Sequence, residues 1–180
     1  MSKSNTGNSS QLAHLVRRFF ASLGQRSPDP SDVVWVKETL LQAEFELWEK
    51  MSPPDQRHSI AVAQMARSEL PNDVTTMRAG LLHDIGKIGV PSGLITRVAA
   101  AISKPLVTED RVNRWSQGKG PLASLGAFMS YPQLGASMLR EVGSDDFIVM
   151  WATEHHLPST EWTVERTRAE VLQRADQFAV

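Results

Sequence analysis

Leu82-His83-Asp84-Ile85-Gly86-Lys87-Ile88-Gly89-Val90-Pro91 is the stretch on which the reading of this 180-residue chain turns. An apolar pattern at helical spacing, Val74, Met77, Leu81 and Ile85, runs into it from Pro71-Asn72-Asp73. The pattern stops at Gly86, whose lack of a Cβ permits a left-handed helix stop. A histidine and a carboxylate therefore stand side by side at a predicted helix end. Both can reach one cation only if the backbone presents them together there. Neutral imidazole and ionised carboxylate are both ligands for divalent metals.

Three more features point the same way. His58 shares a helical face with Val62, Met65 and Ala66, so it is expected to point inward. His155 and His156 form a pair downstream, and Asp176 lies on the last helical pattern beside Leu172 and Ala175. Of the five histidines, His14 alone falls outside this set. Each residue also has a plainer reading. His58 resembles a hydrogen-bonded core histidine, Asp84 a helix-end acid, Asp176 a surface acid, and His155-His156 a solvated helix end. A buried carboxylate needs a partner, however, and a metal is the partner on offer.

The order His58, His83-Asp84, Asp176 resembles the HD-domain superfamily of metal-dependent phosphohydrolases. The stretch from His83 is similar to the HD-GYP branch, whose motif runs His-Asp-x-Gly-Lys-x-Gly-x-Pro, here with Gly86, Lys87, Gly89 and Pro91. The resemblance covers roughly Asp55 to Phe178. It implies an all-α, HD-domain-like helical bundle with His58, His83, Asp84 and Asp176 as metal ligands. Asp84 and Lys87 become the catalytic candidates, with Lys87 near a phosphate oxygen as charge builds up. Lys87 otherwise reads as a solvated cation at a helix C-terminus. In the HD-GYP branch a His-His pair and a His-Pro dipeptide serve a second metal. His155 and His156 match the pair, but Tyr131-Pro132 puts a phenol where the other histidine is expected, and a phenol of pKa about 10 ligates poorly at neutral pH. Leu157-Pro158-Ser159-Thr160 stands in place of the Gly-Tyr-Pro signature, so a cyclic dinucleotide substrate does not carry over.

The rest of the chain reads as helices. Leu12 to Leu23 is one, ending at Gly24, with Arg17-Arg18 behind its apolar face. Ser31 looks like the N-cap of a long helix through Val34, Leu41, Phe45 and Trp48. Ser52-Pro53-Pro54-Asp55 breaks the chain and caps the next. Gly93 to Ile102, Pro132 to Val142, Asp145 to Glu154 and Glu161 to Ala179 are further helices, the last burying Val164, Val171, Ala175 and Phe178. Ser103 to Ser130 reads as a loop with one helical turn. Its Gly118-Lys119-Gly120-Pro121 lacks the spacing of a phosphate loop. Glu154 is expected to be exposed, with a general-base role as the sharper alternative. The five tryptophans are expected in the core or at its rim. The expected organisation is a disordered tail at 1–10, N-terminal helices at 11–51 packed on the domain, and an HD-type catalytic domain at 52–180.

Composition narrows the field. No cysteine is present, which excludes disulfides and thiolate zinc sites and fits a cytoplasmic location. With a net charge of −1, nothing global points to nucleic acid or membrane surfaces. No apolar run approaches the ~18 residues of a membrane span. The two-histidine, two-carboxylate set suits manganese, iron, nickel, cobalt or zinc without singling one out. One metal is expected, and Tyr131 counts against a second. The function expected is hydrolysis of a nucleotide or another small phosphorylated substrate. Two alternatives are a catalytically degenerate HD domain that binds a ligand and signals, and a di-iron oxygenase of HD type, which needs two metals. Oligomeric state is not legible.

Overall fold

The computed structural model describes residues 26–88 and 130–179. Among them the chain is all helical, as the periodicity predicts, with seven α-helices, one 3-10 turn and no strand. The predicted tail, the Leu12–Leu23 helix, the Gly93–Ile102 helix, the Lys119 loop and Trp115 lie outside the described residues.

The first two helices, α1 (Pro30–Thr39) and α2 (Gln42–Trp48), replace the single long helix expected there. Asp29, not Ser31, holds the N-cap position, with Pro30 at the first helical residue where a missing N–H costs nothing. The chain turns at Leu40 and Leu41, both extended, so that Leu40 and Phe45 enter one core. Glu44 holds the turn. Its carboxylate accepts from the Leu41 N–H (3.1 Å), from Arg78 Nε and Nη2 (2.9 and 2.6 Å) and from Ser144 Oγ (2.7 Å). Glu44 is fully buried, and a buried charge is tolerable only when paired in this way.

Helix α3 (Pro53–Glu69) starts where the Ser-Pro-Pro-Asp stretch predicts, with Ser52 Oγ accepting from the Asp55 N–H. Helix α4 (Val74–Leu82) is capped by Asp73, which accepts from the Thr76 N–H at 3.0 Å. Small residues let α3 and α4 touch closely: a Cβ on Gly80 would lie 3.1 Å from Ala63 Cα. Burial also corrects two expected core positions. Val74 and Phe178 are exposed.

The α-helix of the His-Asp stretch ends at Leu82, and a single 3-10 turn, Ile85–Lys87, follows. Gly86 is not a left-handed stop: among the described glycines only Gly143 has positive φ (73°). Gly86 is needed for a close approach instead. A Cβ there would lie 1.9 Å from Tyr131 O and 2.8 Å from Gly135 N. Helix α5 (Tyr131–Glu141) is thus seated directly on the His-Asp turn.

Helix α6 (Asp146–Glu154) is capped by Asp145, and α7 (Arg166–Phe178) by Glu165, five residues after the expected start at Glu161. The chain between them is tied down by Glu154. That residue is buried and accepts from Thr163 N (2.7 Å), Thr163 Oγ1 (2.5 Å) and Val164 N (3.3 Å). The expected exposure of Glu154 is therefore corrected, and its carboxylate serves the 155–165 connection. Trp48 and Trp151 are core residues, while Trp35 and Trp162 pack at its rim. Helix α4 is central, packed by α3, α6 and α7, and its C-terminal end carries the site.

Candidate metal centre

Four elements deliver the candidate side chains to one place: α3 brings His58, the end of α4 brings His83 and Asp84, α6 ends at His155-His156, and α7 brings Asp176. His58, His83 and Asp84 each offer a ligand atom within 4.8 Å of the others. Asp176 Oδ1 lies 2.8 Å from His58 Nε2 and 3.6 Å from His83 Nε2. Asp84, His155 and His156 form a second group of the same kind. All the sequence candidates for ligation therefore converge.

The backbone fixes which ring nitrogens face the cluster. His83 Nδ1 is 2.9 Å from Gly80 O, and His155 Nδ1 is 3.1 Å from Ala152 O. A carbonyl accepts only from N–H, so both rings carry the proton on Nδ1 and turn Nε2 inward. His83 Nε2 is buried and makes no hydrogen bond among the described residues, although Asp84 Oδ2 and Asp176 Oδ1 lie 3.4 and 3.6 Å away. An imidazole nitrogen held between two carboxylates without a hydrogen bond fits a shared cation, so the donor set suits a divalent metal.

Electrostatics agree. Burial pushes the Asp84 carboxyl up, but the Lys87 ammonium and His83 outweigh it and hold the group well below the carboxylate range. Burial likewise opposes ionisation of Asp176, and its bond to His58 and the nearby His83 ring reverse that. Two ionised carboxylates then act on His83. Its burial favours the neutral ring, yet Asp84 and Asp176 raise its pKa to about 10. A centre that holds a proton so firmly on an imidazole is short of positive charge, which a metal ion would supply.

Lys87 lies one 3-10 turn beyond Asp84, with Nζ 2.5 Å from Asp84 Oδ2. Burial weakens its charge, but Asp84 more than restores it, and Asp55 adds to the effect. Tyr131, the only tyrosine, is buried at the start of α5. Its hydroxyl donates to Asp84 Oδ1 at 3.3 Å, lies 3.4 Å from His155 Nε2 and contacts His156 Nε2. Burial and the Asp84 charge push the phenol pKa well above its usual value. His156 reaches solvent, but the packing round its ring, together with His155, lowers its pKa to about 4. Sequence reading treated Tyr131 as a lost ligand and missed that its hydroxyl joins the site. The one available signal was its place just before Pro132 at a helix start.

A family model described as HD domain matches residues 56–180. No curated protein and no solved structure matches the chain.

Proposed function

The chain belongs to the HD domain family, and from that premise we propose that it is a metal-dependent phosphohydrolase acting on a nucleotide or other small phosphate ester. The observation that carries the reading is the buried Nε2 of His83, turned by its Gly80 bond toward Asp84 and Asp176 with no hydrogen bond of its own among the described residues. In this reading His58, His83, Asp84 and Asp176 hold a divalent transition metal. A bound ion of this kind polarises a phosphoryl oxygen and lowers the pKa of a bound water toward ~7. The chain's own residues do the rest. The Gly80 carbonyl keeps His83 in the ligating tautomer. Asp84 anchors Lys87, whose ammonium has three hydrogens, so one bond to Asp84 leaves others for a phosphate oxygen. Lys87 then meets the charge that develops on the phosphoryl group. The likeness to the HD-GYP branch, in residues 83–91 and the His155-His156 pair, is not extended to a substrate. Residues 52–180 are proposed as the catalytic unit.

The second reading, a degenerate domain that binds a ligand without turnover, is favoured by one observation. Both oxygens of Asp84 already have protein partners, Lys87 and Tyr131. One experiment separates the two. Metal content is measured on the purified protein and on Asp84→Ala, followed by phosphate release from a panel of nucleotides and small phosphate esters. The hydrolase reading expects metal in the wild type, its loss in the variant, and turnover that a chelator abolishes. Bound metal without turnover on any ester favours the second reading. No metal, even after reconstitution with manganese, iron, nickel and zinc, sinks the first.

A further inference from the structure

Asp84 divides its two oxygens between two sides of the centre. Oδ2 faces His83 and Lys87, and Oδ1 faces Tyr131 and His155. A carboxylate so placed is able to bridge two cations, and Asp84, His155 and His156 offer a complete three-ligand group on the Oδ1 side. That position is filled from within the chain. The Tyr131 hydroxyl lies within hydrogen-bond reach of all three of these groups. We infer that the Tyr131 hydroxyl takes the place of a second cation between Asp84, His155 and His156, so that the protein holds one metal ion, on the His58 side of Asp84. The inference rests on the metal-site reading of His58, His83, Asp84 and Asp176.

Two considerations make this more than a contact. An ion there would need its ligand atoms at about 2.0–2.2 Å, and the hydroxyl, 3.3 Å from Asp84 Oδ1 and 3.4 Å from His155 Nε2, takes up the space between them. The phenol is also poorly placed to swing away. Its residue is buried, and its main chain is pressed on Gly86 so closely that a Cβ at 86 would lie 1.9 Å from Tyr131 O. Lys87 Nζ lies 5.6 Å from the centre of its ring, and the His156 ring packs edge-on at 5.8 Å. The hydroxyl hydrogen serves Asp84 Oδ1, and the phenol oxygen accepts from the His156 ring when that ring carries its proton on Nε2. The group that would have bridged to a metal is thereby bonded to a neutral donor.

The test is metal stoichiometry after saturation with manganese and removal of unbound ion, read by elemental mass spectrometry, with electron paramagnetic resonance on the same samples. The wild type is expected to hold one equivalent with the signal of an isolated ion. His156→Ala is expected to keep that equivalent, since His156 ligates nothing. Tyr131→His is expected to rise to two equivalents with a spin-coupled signal. Two equivalents in the wild type, or loss of bound manganese in His156→Ala, overturns the inference and leaves the hydrolase reading standing. A folded Tyr131→His that stays at one equivalent also overturns it. If circular dichroism shows that Tyr131→His does not fold, the wild type and His156→Ala decide alone. No manganese in the wild type overturns the inference together with the reading on which it rests.

Discussion

Gly86→Ala is the substitution that most directly tests how the centre is assembled. The added Cβ would stand 1.9 Å from Tyr131 O, 2.8 Å from Tyr131 C and 2.8 Å from Gly135 N. Carbon and carbonyl oxygen approach only to about 3.3–3.6 Å even in favourable contacts, so the gap must open by roughly 1.4 Å or more. Every obstructing atom is backbone, so no rotamer change relieves the clash, and α5 must move off the 3-10 turn as a unit. Overpacking of this kind costs about 1–3 kcal/mol, and the absence of a flexible neighbour argues for the upper end, ~3 kcal/mol. For a domain of this size that corresponds to a fall in Tm of roughly 6–12 °C. The same movement draws the Tyr131 hydroxyl away from Asp84, now 3.3 Å apart. Thermal unfolding followed by circular dichroism at 222 nm, alongside metal content, reads both effects. A Tm within about 2 °C of the wild type would refute the close-approach argument. Gly135→Ala, whose Cβ would come no nearer than 2.9 Å to Gly86 N, is expected to cost less.

Glu44→Ala removes the partner of Arg78, whose side chain is 14% exposed, and leaves a largely buried guanidinium uncompensated. A loss of about 3–5 kcal/mol is expected in urea unfolding, and a loss under 1 kcal/mol would show that the pair is dispensable. Asp73→Ala removes the cap of α4 and the 2.7 Å partner of Arg168, and about 1 kcal/mol is expected from the cap. Burial works against the Asp73 charge, but the Thr76 N–H and Arg168 prevail and lower its pKa. The folded pKa is therefore below the unfolded one. The stabilisation is complete above about pH 4 and is lost as pH falls through the folded value, so the variant should show a flatter acid limb in unfolding titrations. Metal binding must displace the proton that His83 holds up to a pKa of about 10. Apparent affinity for manganese is then expected to rise close to tenfold per pH unit between pH 6 and 8. A pH-independent calorimetric Kd over that range would contradict the assignment of His83 as a ligand.

Local chemistry was legible in the sequence, and long-range contact was not. The cap at Ser52 and the helix starts at Asp73 and Asp145 can be read because a cap bonds to an N–H two or three residues away. The inward face of His58 follows from the spacing of its apolar neighbours. The break at Leu40-Leu41 is not readable, because it depends on Arg78 and Ser144 as partners for Glu44. Gly86 was visible as a special position, but its reason lies 45 residues on, at Tyr131. The same holds for Glu154, whose polarity suggests solvent and whose partners Thr163 and Val164 belong to the following connection. For the site, the order His58, His83-Asp84, Asp176 is visible in the sequence, and the structure brings the four side chains together. What periodicity cannot supply is the hydroxyl of Tyr131, since hydrogen-bond reach across helices has no signature in spacing.

The Glu44 carboxylate has a consequence for where this protein can be cut. The family match begins at residue 56, yet Val36, Phe45 and Trp48 are buried, and Trp48 Nε1 donates to Ser59 Oγ at 2.9 Å. A fragment starting at residue 56 would expose the surface these side chains cover and strand both Arg78 and Ser144. The family boundary thus cuts through a shared core. Helices α1 and α2 act as a keel for the helix that carries His83 and Asp84, and a fragment without them is expected to unfold at lower urea than the full chain.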